Sequence, residues 1–193
     1  MKKILVILLL FATLSARADE RGVQRLERLS RHYASLGDYS LSFVLKMGDA
    51  EQDGELAVQG KNLYMRLGDT ELFVADSVRY EVRGATKEVV IDRSELYEQE
   101  LLSTLNGLVN VGGSYDVVEC EVEGRHALRL TSKQGGDTIY IILSIDGESI
   151  ERLMYGAGEG AMSITLARAQ KSAKPIPQFD KGRYSGFEIV DFR

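Results

Sequence analysis

From residue 39 onward the chain alternates. In YSLSFVLKM, residues 39–47, Tyr39, Leu41, Phe43, Leu45 and Met47 share one side, and Ser40, Ser42 and Lys46 the other. That is the period of a β-strand with one face buried. Runs with the same character follow at ELAVQ, LYMRL, ELFVA, VRYEV and EVVI, predicting strands over 55–59, 63–67, 71–75, 78–82 and 88–91. The breaks between them read GDAEQDG, GKN, GDT, DS and RGATK, which are turn residues. Five more strands are expected at 115–122, 126–131, 138–145, 149–155 and 161–169, and a last one in FEIVDF, residues 187–192. Parallel crossovers need helices between strands, and almost none are available, so the sheet is predicted to be antiparallel with about twelve strands. A sheet of that size must curl, split or close.

Two segments break the pattern. Val23, Leu26, Leu29, Tyr33 and Leu36 recur at three and four residues, predicting a helix over 20–36 with Gly37 at its end. A second helix is expected near 93–106, where Asp92 and Glu95 have capping-box spacing and Leu101, Leu105 and Leu108 form a stripe. KSAKPIPQFDKGRYSG then bars regular pairing through Pro175 and Pro177 before the last strand. In that strand Phe187 and Ile189 point one way, Glu188, Val190 and Phe192 the other, so cover on both faces is expected; Asp191 and Arg193 share a side.

The start of the chain reads as an export signal. Lys2 and Lys3 precede an apolar run from Ile4 to Leu14, and Ala16-Arg17-Ala18 fits a cleavage site. The run is too short for a membrane span. Residues 1–18 are expected to be a signal peptide and 19–193 a single domain. The first residue after the cleavage site is Asp19 rather than a cysteine, so no lipid anchor is expected there. Without those eighteen residues, which hold three cations and no acid, the formal charge moves from −5 to −8. Such an acidic domain is a poor partner for nucleic acid or anionic lipid. Its one cysteine, Cys120, closes no internal disulfide, so the core must hold the fold.

Catalytic signals are thin. His32 reads as solvated helix surface. A three-residue turn at Glu123-Gly124-Arg125 would pair Val122 with His126 and Cys120 with Leu128. Cys120 and His126 would then be diagonal neighbours, roughly 7–8 Å apart, too far for a nucleophile and its base. No metal-ligand spacing, phosphate loop or dinucleotide fingerprint is present. The many acidic residues read as turns and solvent faces. Met47, Met65, Met154 and Met162 all sit on alternating strands, where a pliable side chain suits either core or ligand. A large curled sheet with two helices over it can enclose an apolar cavity, and such a cavity without catalytic groups points to a carrier rather than an enzyme.

LERLSRHYASLGDYSLSF, DGELAVQGKNLYMRLGDTELFVADSVRYEV and FDKGRYSGFEIVDFR, in that order, resemble the LolA family of outer-membrane lipoprotein carriers over nearly all of the chain after the signal. The resemblance implies a mainly β fold, an open, incomplete barrel of about 11–12 antiparallel strands covered by helices. It implies a periplasmic monomer without cofactor that takes lipoprotein acyl chains in its cavity. An inner-membrane release transporter would supply them and an outer-membrane acceptor receive them. A sensing or interaction domain on the same fold is the alternative. The cavity wall is expected from Tyr39, Leu41, Phe43, Leu45, Met47, Leu56, Val58, Leu63 and Met65, with Leu101 and Leu105 on the lid. Where the family carries a lid-latching arginine after the Val of the second strand, this chain reads Gly60-Lys61.

Overall fold

The computed structural model describes residues 20–93, 115–135, 138–156 and 161–193. The expected signal peptide and the helix with Leu101 and Leu105 lie outside them. Helix α1 covers 20–36. Its stripe is realised: Leu26, Leu29 and Tyr33 are buried, and Val23 and Leu36 flank them.

The strands are β1 (Tyr39–Met47), β2 (Ala50–Gln59), β3 (Asn62–Leu67), β4 (Thr70–Ala75), β5 (Val78–Arg83) and β6 (Glu88–Arg93), then β7 (Tyr115–Val122), β8 (Arg125–Ser132), β9 (Thr138–Leu143), β10 (Ile150–Tyr155), β11 (Met162–Leu166), β12 (Gln170–Lys171) and β13 (Glu188–Asp191). Among the described residues they form one 13-stranded sheet in the order β13-β6-β5-β4-β3-β2-β1-β11-β10-β9-β8-β7, with β12 also on β1. β1 thus lies mid-sheet, joining the two meanders through β11.

Three expectations change. The count is thirteen rather than 11–12, because the two-residue β12 pairs Tyr39 and Ser40 with Lys171 and Gln170. The sheet is not wholly antiparallel: β13 runs parallel to β6, with Ile189 beside Val89. The link from β6 to β13 spans residues 94–187, and its last part, the proline-bearing segment 172–187, brings the chain alongside β6. β2 begins at Ala50, five residues earlier than expected, because Gly48-Asp49 suffices for the turn and Met47 pairs with Ala50. Cover by helices is correspondingly modest: α1 is the only α-helix among the described residues.

The sheet is covered on both faces. On the inner face, α1 packs with Tyr39, Leu41, Leu56, Val58, Leu63, Leu128, Ile141 and Leu153. Tyr33 fixes the helix, its ring 5.9 Å from Tyr39 and its hydroxyl accepting from Ile150 N at 3.3 Å. On the outer face, segment 172–187 lays Ile176, Phe179, Tyr184 and Phe187 over Tyr64, Phe73, Val82, Val89 and Ile91. Its rings stack in a column, Tyr80 to Phe179 at 4.3 Å, Phe179 to Tyr184 at 5.6 Å and Tyr184 to Phe187 at 5.4 Å. Below the column, Glu71 accepts from Tyr64 at 2.9 Å, Tyr184 at 2.7 Å and Arg183 at 3.1 Å. Burial, followed by the Glu71 carboxylate, pushes Tyr64 up to about 12 and Tyr184 higher still.

The last strand forms as expected, except that Phe192 is 68% exposed. It lies one residue past β13, where no strand or segment among the described residues covers it. Asp191 and Arg193 do share a side and bond each other at 2.7 Å.

Candidate functional site

The inner face holds a cavity of about 130 Å³ lined by Phe43, Leu45, Leu56, Met65, Leu67, Leu153, Tyr155, Met162, Ile164 and Leu166. The register explains why these meet. Leu45 pairs with Ile164, Phe43 with Leu166 and Leu56 with Met65, each pair opposite on one face. Leu153 pairs with Ile164, and Tyr155 with Met162, extending the wall to β10. Gly54 makes room: a Cβ there would lie 2.2 Å from the Phe43 ring. Phe43 therefore lies across β2 and forms part of the cavity wall.

The nine expected wall residues among the described positions fall into three groups. Phe43, Leu45, Leu56 and Met65 line the cavity. Tyr39, Leu41, Val58 and Leu63 continue the same face but are buried in the core with α1. Met47 stands beyond the cavity at the strand end, 58% exposed. Of the other methionines, Met162 joins the wall, while Met154 alternates with Leu153 and faces outward. Leu67, Leu153, Tyr155, Ile164 and Leu166 were not singled out from sequence. Their alternation was visible, but not that β10 and β11 would pair onto β1.

A larger cavity, about 220 Å³, lies towards segment 172–187 and is of mixed character, with Asn62, Asp76 and Gln178 beside Phe73, Tyr80 and Phe179. It lacks the wholly apolar wall that an acyl chain would select.

The acids of β5 and β6 do not behave as a solvated face. Leu72 pairs with Glu81, Val74 with Arg79 and Thr70 with Arg83, so Arg79, Glu81 and Arg83 are on the inner face. Arg79 is buried, and the Glu81 side chain is 17% exposed. Arg79 pairs with Glu81, and with Asp92 at 3.9 Å; Arg83 pairs with Glu81 at 2.7 Å and Glu88 at 3.2 Å. The apolar side of β5, Val78, Tyr80 and Val82, faces outward. Alternation within VRYEV revealed two faces but not which one was inner.

Cys120 and His126 do not form a site. The turn is Glu123-Gly124, with φ of 53° and 72°, two residues instead of three. Cys120 then pairs with Ala127 and Glu121 with His126, which places the thiol and the imidazole on opposite faces. Burial pushes the Cys120 thiol up, away from nucleophilic use. Among the described residues no group of three His, Cys, Asp or Glu is placed to hold a metal, and no helix is long and apolar enough to cross a membrane.

No protein-family model matches the chain, and neither does any curated protein. Solved structures do. An uncharacterised conserved protein from Thermus thermophilus is similar at a TM-score of 0.54 and 9% identity, over 87% of this chain and 97% of its own. MucB is similar at 0.51 and 15% identity, over 81% of this chain and 61% of its own, so this chain spans about three fifths of MucB. A LolA superfamily protein from Nitrosomonas europaea is similar at 0.41 and 10% identity, over 80% and 94%. At these identities the likeness shows the fold alone, and the first two comparisons carry it.

Proposed function

We propose that this protein is a periplasmic carrier, exported by its N-terminal signal, that shields lipoprotein acyl chains as they pass from the inner to the outer membrane. A release transporter would load it and an acceptor at the outer membrane would unload it. The observation that supports this most is the inner cavity, whose ten lining residues offer an acyl chain nothing but apolar surface apart from one tyrosine hydroxyl. Each methylene removed from water is worth ~0.8 kcal/mol, so a tail of about fifteen gains on the order of 12 kcal/mol. A chain carrying such tails does not cross water unshielded.

Size adds a condition. An apolar cavity of about 150 Å³ holds one benzene. At about 130 Å³ this one takes only a short stretch of tail. Loading therefore requires the inner face to open. Movement of α1 would extend the wall to Tyr39, Leu41, Val58 and Leu63, all apolar and now buried. The proposed binding surface is thus the full row from Tyr39 to Met47 with its neighbours on β2 and β3.

Titration with a dansyl-labelled fatty acid tests the reading. Saturable binding by the parent, weakened at least tenfold in Met65→Glu with the melting curve retained, is expected. A parent that does not bind, or a variant that binds equally, contradicts it. The second reading, an envelope sensing or interaction domain, draws on the likeness to MucB. It gains if the cavity stays closed to acyl probes while the protein captures a polypeptide.

A further inference from the structure

The inner face changes character within one strand. Three rows cross β3, β4, β5 and β6: Leu67, Thr70, Arg83, Glu88; Met65, Leu72, Glu81, Val90; and Leu63, Val74, Arg79, Asp92. Strands lie about 4.8 Å apart, so Arg83 and Glu81 stand roughly 10 Å from the cavity residues Leu67 and Met65. On one side of that step the face is mainly apolar, with Thr70 and Gln52 at its strand ends; on the other lies the ladder of Arg79, Glu81, Arg83, Glu88 and Asp92. Ion pairs with limited access to water are poor stabilisers, since apolar residues of similar volume do as well. Their place beside an apolar cavity calls for another account.

We propose that this ladder is a polar subsite for the head of the acylated ligand, one that selects amide- or amine-bearing heads, as at the acylated end of a polypeptide, over phosphate. The inference rests on the carrier reading and adds specificity to it. Among the described residues the ladder sets three carboxylates against two guanidiniums, and the parallel register adds Glu188 of β13 beside Glu88, so negative charge is in excess. The side chains of the exposed end are reachable, Arg83 at 43% and Glu88 at 28%. A carboxylate accepts up to about four hydrogen bonds. Glu88 accepts one from Arg83 and keeps capacity for other N–H donors. The turns at the same end carry Asp49 and Asp69, both exposed, and the Gly84 amide donates to Asp69 O at 3.0 Å, bringing Asp69 next to Arg83. Lys87 and Lys46 are also exposed at this end, Lys46 being paired with Glu51 at 3.4 Å, and they do not outweigh the acids. A phosphate placed on Arg83 would meet Glu81 and Glu88 at once, and like charges brought together on binding are costly. A peptide N–H meets acceptors instead.

Displacement of the dansyl-labelled fatty acid at fixed ionic strength tests this with two competitors of the same chain length. One is a synthetic diacylglyceryl-cysteine peptide with uncharged residues, the other phosphatidylglycerol. The lipopeptide should displace at concentrations about tenfold lower or better. Glu88→Gln should narrow the ratio, and Glu88→Lys should bring it to unity or invert it, each displacement being scaled to that variant's own affinity for the fatty acid, whose carboxylate also meets residue 88. The melting curve identifies a variant that has lost its fold, and Glu88→Gln, the milder change, then decides. Equal displacement by both competitors in the parent overturns the proposal, as does a ratio unmoved in the folded variants. If the fatty acid itself does not bind, the carrier reading fails and this inference falls with it, a result distinct from fatty-acid binding without head selectivity.

Discussion

Deletion of residues 187–193 should cost the domain about 5 kcal/mol. Phe187, Ile189 and Val190 are half-buried. At about half of the ~1.5–3 kcal/mol of a fully buried side chain they contribute about 3 kcal/mol together. Phe192 adds little, being mostly exposed. The strand ends are tied by Glu188 N to Lys87 O at 2.9 Å and Phe192 N to Ile91 O at 2.8 Å. At about 1 kcal/mol net each, these bonds supply about 2 more. For a domain of this size about 1 kcal/mol moves the melting midpoint by about 2–4 °C, so the truncated protein should melt about 10–20 °C lower. The deletion also bares the edge of β6 and the fully buried Val89, and an unpaired apolar edge invites association. Thermal melts together with size-exclusion chromatography give both readouts. A midpoint within about 2 °C of the parent, in a protein that stays monomeric, would refute the reasoning.

Glu71→Ala removes the shared acceptor of Tyr64, Tyr184 and Arg183 and should cost about 3 kcal/mol in urea unfolding, most of it from buried hydroxyls left without a partner. Raising the pH should unfold the protein. Tyr39 and Tyr64 are pushed up to about 12 from the ordinary 10 by burial, and Tyr184 further, so the fold favours neutral phenols. Their contribution is complete below pH 10 and is lost as the pH rises through about 12; melts over that window should steepen downward, less so in Tyr64→Phe. Ser77→Gly should stabilise by about 1 kcal/mol, because Asp76 and Ser77 both hold left-handed backbone without glycine, at φ of 50° and 64°. Gly54→Ala should drive the Phe43 ring from its place and reduce acyl-probe affinity, read in the same dansyl titration.

Much of this fold was legible because a period of two survives in any strand with one dry face. YSLSFVLKM shows it cleanly, and β1 starts and ends where the alternation does. The helix was equally plain, since Leu26, Leu29 and Tyr33 meet one surface. What escaped had no apolar signal. Ala50 to Asp53 are exposed, and so are Gln170 and Lys171 of the short β12. The turn at Glu123-Gly124 was misread by one residue, and in a strand that slip moves every side chain to the other face. The cavity was half legible. Phe43, Leu45, Leu56 and Met65 follow from neighbouring hairpins, whereas Leu153, Ile164 and Leu166 depend on β11 returning to β1 across more than a hundred residues. The ladder of Arg79, Glu81 and Arg83 was hidden because β5 turns its apolar side to segment 172–187, and nothing local announces that cover.

The most direct test is native mass spectrometry of the protein purified, without detergent exchange, from the envelope of the cells that make it. The carrier account predicts a fraction with the mass of the mature chain starting at Asp19 plus an acylated polypeptide, which Met65→Glu should lose. Recovery of the chain alone, from cells in which release of lipoproteins from the inner membrane is active, would contradict it.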